Sequence, residues 1–107
     1  MKLRSSLEQR KKAGRWLKGL RVEAELTQLE LAGHLGLKYY AFISQVELGL
    51  ARVPPSQLEG WARALNINPG EFAWRLLAMY EPDWHRLLYA QQRSQFSRHE
   101  SGRRRNA

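Results

Sequence analysis

Residues Leu26 to Glu47 read LTQLELAGHLGLKYYAFISQVE, and the spacing within this stretch decides the fold. Thr27-Gln28-Leu29-Glu30 fits a capping box, in which a Thr oxygen accepts the N3 amide and the Glu reaches back to the cap. Leu31, Ala32 and Leu35 then recur at helical spacing, and Gly36 supplies a stop. Phe42, Ile43 and Val46 resume the same period, with Gly49 as the next stop. The pattern predicts two short amphipathic helices, about 28–35 and 39–48, joined by a tight glycine turn.

Start signals recur on either side. Ser56-Gln57-Leu58-Glu59 fits a second capping box and follows Pro54-Pro55, which no helix continues through. Asn68-Pro69-Gly70-Glu71 supplies a capping Asn, a proline at the first helical position and an early acid. Helices are therefore expected over about 57–65, with Leu58, Trp61, Ala62 and Leu65 inward, and over about 70–80, with Phe72, Leu76 and Tyr80 inward. Upstream, a first helix carries Trp16, Leu17 and Leu20 on one face and ends near Ala24. Gly14 and Gly19 weaken it, so residues 1–13 are read as a basic arm or a helix extension. Pro82 opens a further helix, 81–93, with Trp84, Leu87, Leu88 and Tyr89 as its apolar residues. No segment alternates with period two, so the chain is expected to be all-α. Residues 94–107 are polar and basic and are expected to be a disordered tail.

The 107 residues make one small domain, whose marginal core favours self-association. The net charge of +8 is concentrated at the ends. Residues 1–21 hold eight Lys/Arg against Glu8, and residues 93–107 hold five arginines against Glu100, which leaves 22–92 slightly acidic. Basic ends around a nearly neutral body suit a polyanion, although runs of charge are also ordinary solvated surface. The chain has no cysteine, no apolar run long enough for a bilayer and no secretory leader, which points to a cytoplasmic, nucleoid-associated protein of bacterial or phage type.

On a helical wheel, Tyr39, Phe42, Ile43 and Val46 of the second helix of the pair face inward, while Tyr40, Ala41, Ser44 and Gln45 face outward. Gln45 matches an adenine edge, Ala41 a thymine methyl, and Lys38 a guanine or a phosphate. An ordinary solvent-facing helix tolerates the same residues. The first helix of the pair opens with unpaired amides and a positive dipole end, so Thr27 and Gln28 are candidate phosphate contacts. Lys11, Lys12 and Arg15 are candidate phosphate contacts on the basic N-terminal segment.

These residues resemble the helix-turn-helix family of phage repressors, Cro proteins and xenobiotic-response-element-like regulators. The matching positions are Leu20-Arg21, Leu26 to Ala32, Leu35-Gly36, Ile43 to Glu47, Gly49, Pro54, Leu58 and Ala62 to Leu65, covering about residues 14–73. The resemblance implies a lambda-repressor-like five-helix domain over 14–80 with an extra C-terminal helix. In such a domain the helix after the glycine turn lies in the major groove and Gln28 touches a phosphate; the base-reading candidates are Lys38, Tyr39, Tyr40, Ala41, Ser44 and Gln45. It further implies a structural ion pair between Arg21 and Glu47. The chain departs from the pattern in three places. Gly36 to Ile43 spans seven steps where the family has six, which leaves the register of Lys38, Tyr39 and Tyr40 open. Glu25 stands where Gly is common, and Leu48 replaces a phosphate-contacting Asn, a role that Arg52 is placed to take over.

The function implied is a sequence-specific, double-stranded DNA-binding regulator, a dimeric repressor of its own or a neighbouring operon on a pseudo-palindromic operator. Phage and mobile-element operons, anti-CRISPR operons included, carry such proteins. Trp84, Leu87, Leu88 and Tyr89 are the candidate homodimer seam, with packing against the first or fifth helix as the alternative. A rival reading is an antitoxin that binds a toxin or other protein partner and autoregulates through the same helix pair. A third is sequence-independent binding by basic arms. His34, His85 and His99 lack the spacing of a zinc site, and no glycine-rich phosphate loop or nucleophile elbow occurs, so neither cofactor nor catalysis is expected.

Overall fold

In a computed structural model the chain is described over residues 2–93, with side chains from residue 6 onward. The expected 94–107 tail lies outside the described residues. Every regular element among them is helical: α1 (Lys2–Glu23), α2 (Gln28–His34), α3 (Ala41–Glu47), a 3-10 turn (Pro55–Gln57), α4 (Leu58–Ala64), α5 (Pro69–Tyr80) and α6 over 82–93. None is long and apolar enough to cross a membrane.

Four helices end the same way. After α1, α2, α3 and α4 the chain enters the left-handed region at Glu25 (φ 59°), Gly36 (71°), Gly49 (81°) and Asn66 (58°). In each case the next amide reaches back to close a six-residue loop: Leu26 to Arg21 O, Leu37 to Ala32 O, Leu50 to Gln45 O and Ile67 to Ala62 O, at 2.9–3.1 Å. This Schellman geometry satisfies the orphan carbonyls of each helix end. Glu25 adopts it despite its Cβ, in the position where the sequence pattern favoured glycine.

The helix starts follow the sequence at two points and depart from it at a third. Thr27 Oγ1 accepts the Glu30 amide at 3.0 Å and Glu30 Oε1 accepts the Thr27 amide at 2.9 Å, completing the capping box. Asn68 Oδ1 accepts the Glu71 amide at 3.0 Å, with Pro69 as the first helical residue. The box predicted at Ser56 and Glu59 does not form. Pro55 instead starts a 3-10 turn that contains Ser56, α4 begins at Leu58 without a side-chain cap, and Glu59 pairs with Arg63 at 3.4 Å.

The core forms where α1 packs on α3 and α5, α2 on α3 and α4, and α4 on α5. Leu17, Leu31, Ile43, Val46, Trp61 and Phe72 are fully buried, and Trp16 stacks on Phe72 at 5.6 Å between ring centres. Gly14 does not interrupt α1. A Cβ there would collide with the Glu47 carbonyl oxygen, so the glycine marks where α1 crosses the end of α3. The helix runs unbroken for about 33 Å, and it includes residues 2–13 of the segment read from the sequence as a basic arm or a helix extension.

Candidate nucleic-acid interface

The turn between α2 and α3 extends to Tyr39. α3 starts at Ala41 rather than 39, with Tyr40 as its cap residue, so Lys38 and Tyr39 belong to the turn. The wheel had placed Tyr39 inward. It is 68% exposed because the helical period does not yet apply there, and Lys38 Nζ sits 5.5 Å from its ring centre. Phe42, Ile43 and Val46 face the core as expected. Tyr40, Ala41 and Gln45 are exposed and Ser44 is half-buried.

Arg21 and Glu47 fix α3 from behind. The guanidinium meets the carboxylate through Nε–Oε2 at 2.6 Å and Nη2–Oε1 at 3.1 Å, and its Nη1 donates to Leu26 O at 2.8 Å. Both residues are buried, and the two-point geometry compensates the desolvation of each charge. Gln28 Nε2 donates to the same Glu47 Oε1 at 3.0 Å, which ties the first turn of α2 to the last turn of α3. Gln28 thereby sits on the ridge between two shallow hollows. Arg21, Thr27, Leu29 and Tyr40 line the first with it, and Arg15, Lys18, Ser44, Glu47 and Leu48 line the second. Thr27 lies beside Gln28, its oxygen and amide engaged in the capping box.

Some of the basic residues are paired and others are not. Arg21, Arg52, Arg63, Arg75 and Arg86 each have a carboxylate within 4 Å. Among the described residues no ion pair involves Lys11, Lys12, Arg15, Lys18 or Lys38. Lys11, Arg15 and Lys18 repeat at i, i+4 and i+7, which sets them on one stripe of α1 beside α3. Lys12 falls on the adjoining face. Sequence reasoning named Lys11 and Arg15 but missed Lys18, although this spacing was visible. It also missed Arg10, whose Nε donates to Gly49 O at 2.9 Å and fastens α1 to the loop after α3.

Arg52 is a correction. Its guanidinium pairs with Glu81 at 3.5 Å and lies 4.6 Å above the Tyr80 ring, because the chain after Gly49 turns toward the end of α5 and carries the side chain away from the hollows. Arg52, the candidate phosphate contact after α3, thus has an anionic partner within the fold.

On α6, Trp84, Leu87, Leu88 and Tyr89 are 64, 59, 41 and 49% exposed. The helix is attached to α5 instead through His85, whose ring lies 4.3 Å from that of Trp74. Packing of the predicted apolar residues into the protein's own core is therefore not what this structure holds. No group of three or more His, Asp or Glu among the described residues could hold a metal ion. In comparisons with known proteins, no family model and no curated protein matched the chain.

Proposed function

We propose that the protein is a sequence-specific binder of double-stranded DNA, a helix-turn-helix domain of the lambda-repressor type acting as a dimeric regulator of transcription. The observation that carries this reading is the outward side of α3. Tyr40, Ala41 and Gln45 stand in solvent while the same helix is held from behind by the Arg21–Glu47 pair. An α-helix of about 10–12 Å diameter fits a major groove about 12 Å wide. Gln45 offers both a donor and an acceptor to an adenine, Ala41 a methyl to thymine, and Lys38 and Tyr39 reach from the turn that precedes the helix. Thr27 and Gln28, where α2 would cross the backbone, are assigned to a phosphate.

Lys11, Arg15, Lys18 and Lys38, which form no ion pair among the described residues, lie around this face and supply the salt-dependent part of binding. Within this proposal, occupancy of the operator by the bound protein represses its own or a neighbouring operon. Selection of bound duplexes from a random pool tests the proposal. An enriched, two-fold symmetric site is expected, and recovery of an unenriched pool would reject sequence-specific binding. A second reading has one observation in its favour: the exposed apolar residues of α6 equally suit another protein, as an antitoxin would require. Co-purification of a distinct protein in place of a second copy would favour it.

A further inference from the structure

The hollow between α1 and α3 brings two of the cations named above, Arg15 and Lys18, together with Ser44, for which the reading above has no role. Arg15 and Lys18 project from α1, Ser44 and Leu48 from the outward edge of α3, and Gln28 lies between them. We infer that this hollow seats one backbone phosphate of the bound duplex, gripped by Arg15 and Lys18 and by the Ser44 hydroxyl. On this inference α1 is itself a DNA-contacting helix, and Ser44 is a positioning residue instead of a base reader. The inference rests on the DNA-binding reading and adds a specific site to it.

Three observations carry it. The Glu47 carboxylate that forms part of the hollow is already doubly bonded to Arg21 and shared with Gln28 Nε2, so the charge facing outward is that of Arg15 and Lys18. Neither cation takes part in an ion pair among the described residues, whereas Arg52, Arg63, Arg75 and Arg86 do. Ser44 is half-buried against this hollow, while Ala41 and Gln45 are exposed. A guanidinium and an ammonium beside one hydroxyl match the tetrahedral oxygens of a phosphodiester, and the uncharged edge of a base gives two cations nothing to neutralise. The Gly14 crossing fixes the separation of the two helices and hence the width of the site.

The test uses the full chain on its selected duplex and on an unrelated duplex. Lys18→Gln and Ser44→Ala should each weaken both complexes by the same factor, about three- to tenfold, and Lys18→Gln should lower the salt slope by about one unit. Methylphosphonate placed at each backbone position in turn should reveal one phosphate whose neutralisation weakens the wild type but scarcely affects Lys18→Gln. A Ser44→Ala loss confined to the selected duplex would make Ser44 a base reader and overturn the inference. So would the absence of any coupled phosphate, with sequence-specific binding by the wild type intact. Amide shifts around the hollow with inorganic phosphate, without that coupling, would likewise overturn it in favour of a free-anion site. Failure of the wild type to bind any duplex would remove the DNA-binding reading and this inference together.

Discussion

Arg21 and Glu47, 26 residues apart, meet in a buried two-point ion pair that joins α1 to the last turn of α3. Removing one partner strands the other charge out of water, a loss of about 3–5 kcal/mol in such settings. Glu47→Ala should therefore lower the unfolding free energy read from urea denaturation by an amount in that range, with a correspondingly lower midpoint, and Glu47→Gln by less, because its amide oxygen still accepts from Arg21. Equal midpoints for Glu47→Ala and wild type would show that the pair does not hold α3 in place.

The two glycines of α1 should respond in opposite directions. Gly14→Ala drives a methyl into the Glu47 carbonyl, main-chain atoms that cannot rotate away, and should destabilise by about 1–3 kcal/mol or more. A Cβ at Gly19 meets nothing within 4 Å, so Gly19→Ala should stabilise by about 0.5–1 kcal/mol through helix propensity alone. Thermal unfolding of the two variants reads both signs, and a stabilised Gly14→Ala would contradict the close crossing.

The contrast between those glycines shows what the sequence could and could not disclose. Periodicity placed Leu31, Ile43, Val46, Trp61 and Phe72 in the core because each lies inside a helix long enough to set a phase. It misplaced Tyr39 because the phase begins only at Ala41 and Tyr39 belongs to the turn before it. Propensity read Gly14 as a weak point, since the backbone it meets belongs to a segment more than thirty residues away and leaves no local trace. The pairing of Arg52 with Glu81 and Tyr80 was hidden for the same reason. Local chemistry was more legible, as at Thr27 and Asn68, except where Pro54 and Pro55 imposed a 3-10 turn over the expected Ser56 cap.

Tyr80 links the loop after α3 to α5, its hydroxyl accepting the Val53 amide at 3.1 Å. Burial holds its phenol above the usual tyrosine value, against smaller opposing effects of the Val53 amide and Arg52. A group whose folded value is raised stabilises fully below its unfolded value, about 10, and loses that contribution as pH rises through the folded one. Tyr80→Phe should cost about 1–3 kcal/mol at neutral pH by leaving the Val53 amide unsatisfied. The stability gap between variant and wild type should then narrow as pH enters the tyrosine range. A gap independent of pH in chemical denaturation would reject the linkage.

Gln45 separates base reading from general attraction. Its side chain is exposed on α3, and the helix ends in a backbone motif that does not use it. Gln45→Ala should leave folding unchanged and weaken binding to the selected duplex by about 1–3 kcal/mol, with little effect on random duplex. Titrations on both duplexes at one salt concentration measure this, and equal losses would exclude Gln45 as a reader.

The apolar residues of α6 bear on how two readers would be joined. Trp84, Leu87 and Leu88 follow one another at i, i+3 and i+4, so they form a stripe, and His85 on Trp74 anchors the helix by a different side. A two-fold axis through such a stripe would bury each residue twice, so a substitution removes its contribution from both copies. Burial of one large apolar side chain contributes about 1.5–3 kcal/mol. The combined Trp84→Ala and Leu88→Ala change should therefore raise the dimer dissociation constant by at least about a hundredfold. In analytical ultracentrifugation the wild type should sediment as a dimer and the variant as a monomer. On DNA the variant should lose affinity for a palindrome while binding an isolated half-site as the wild type does, since α3 lies outside the altered stripe. A monomeric wild type, or a variant that remains dimeric, would reject α6 as the seam and leave its exposed face to a different protein partner.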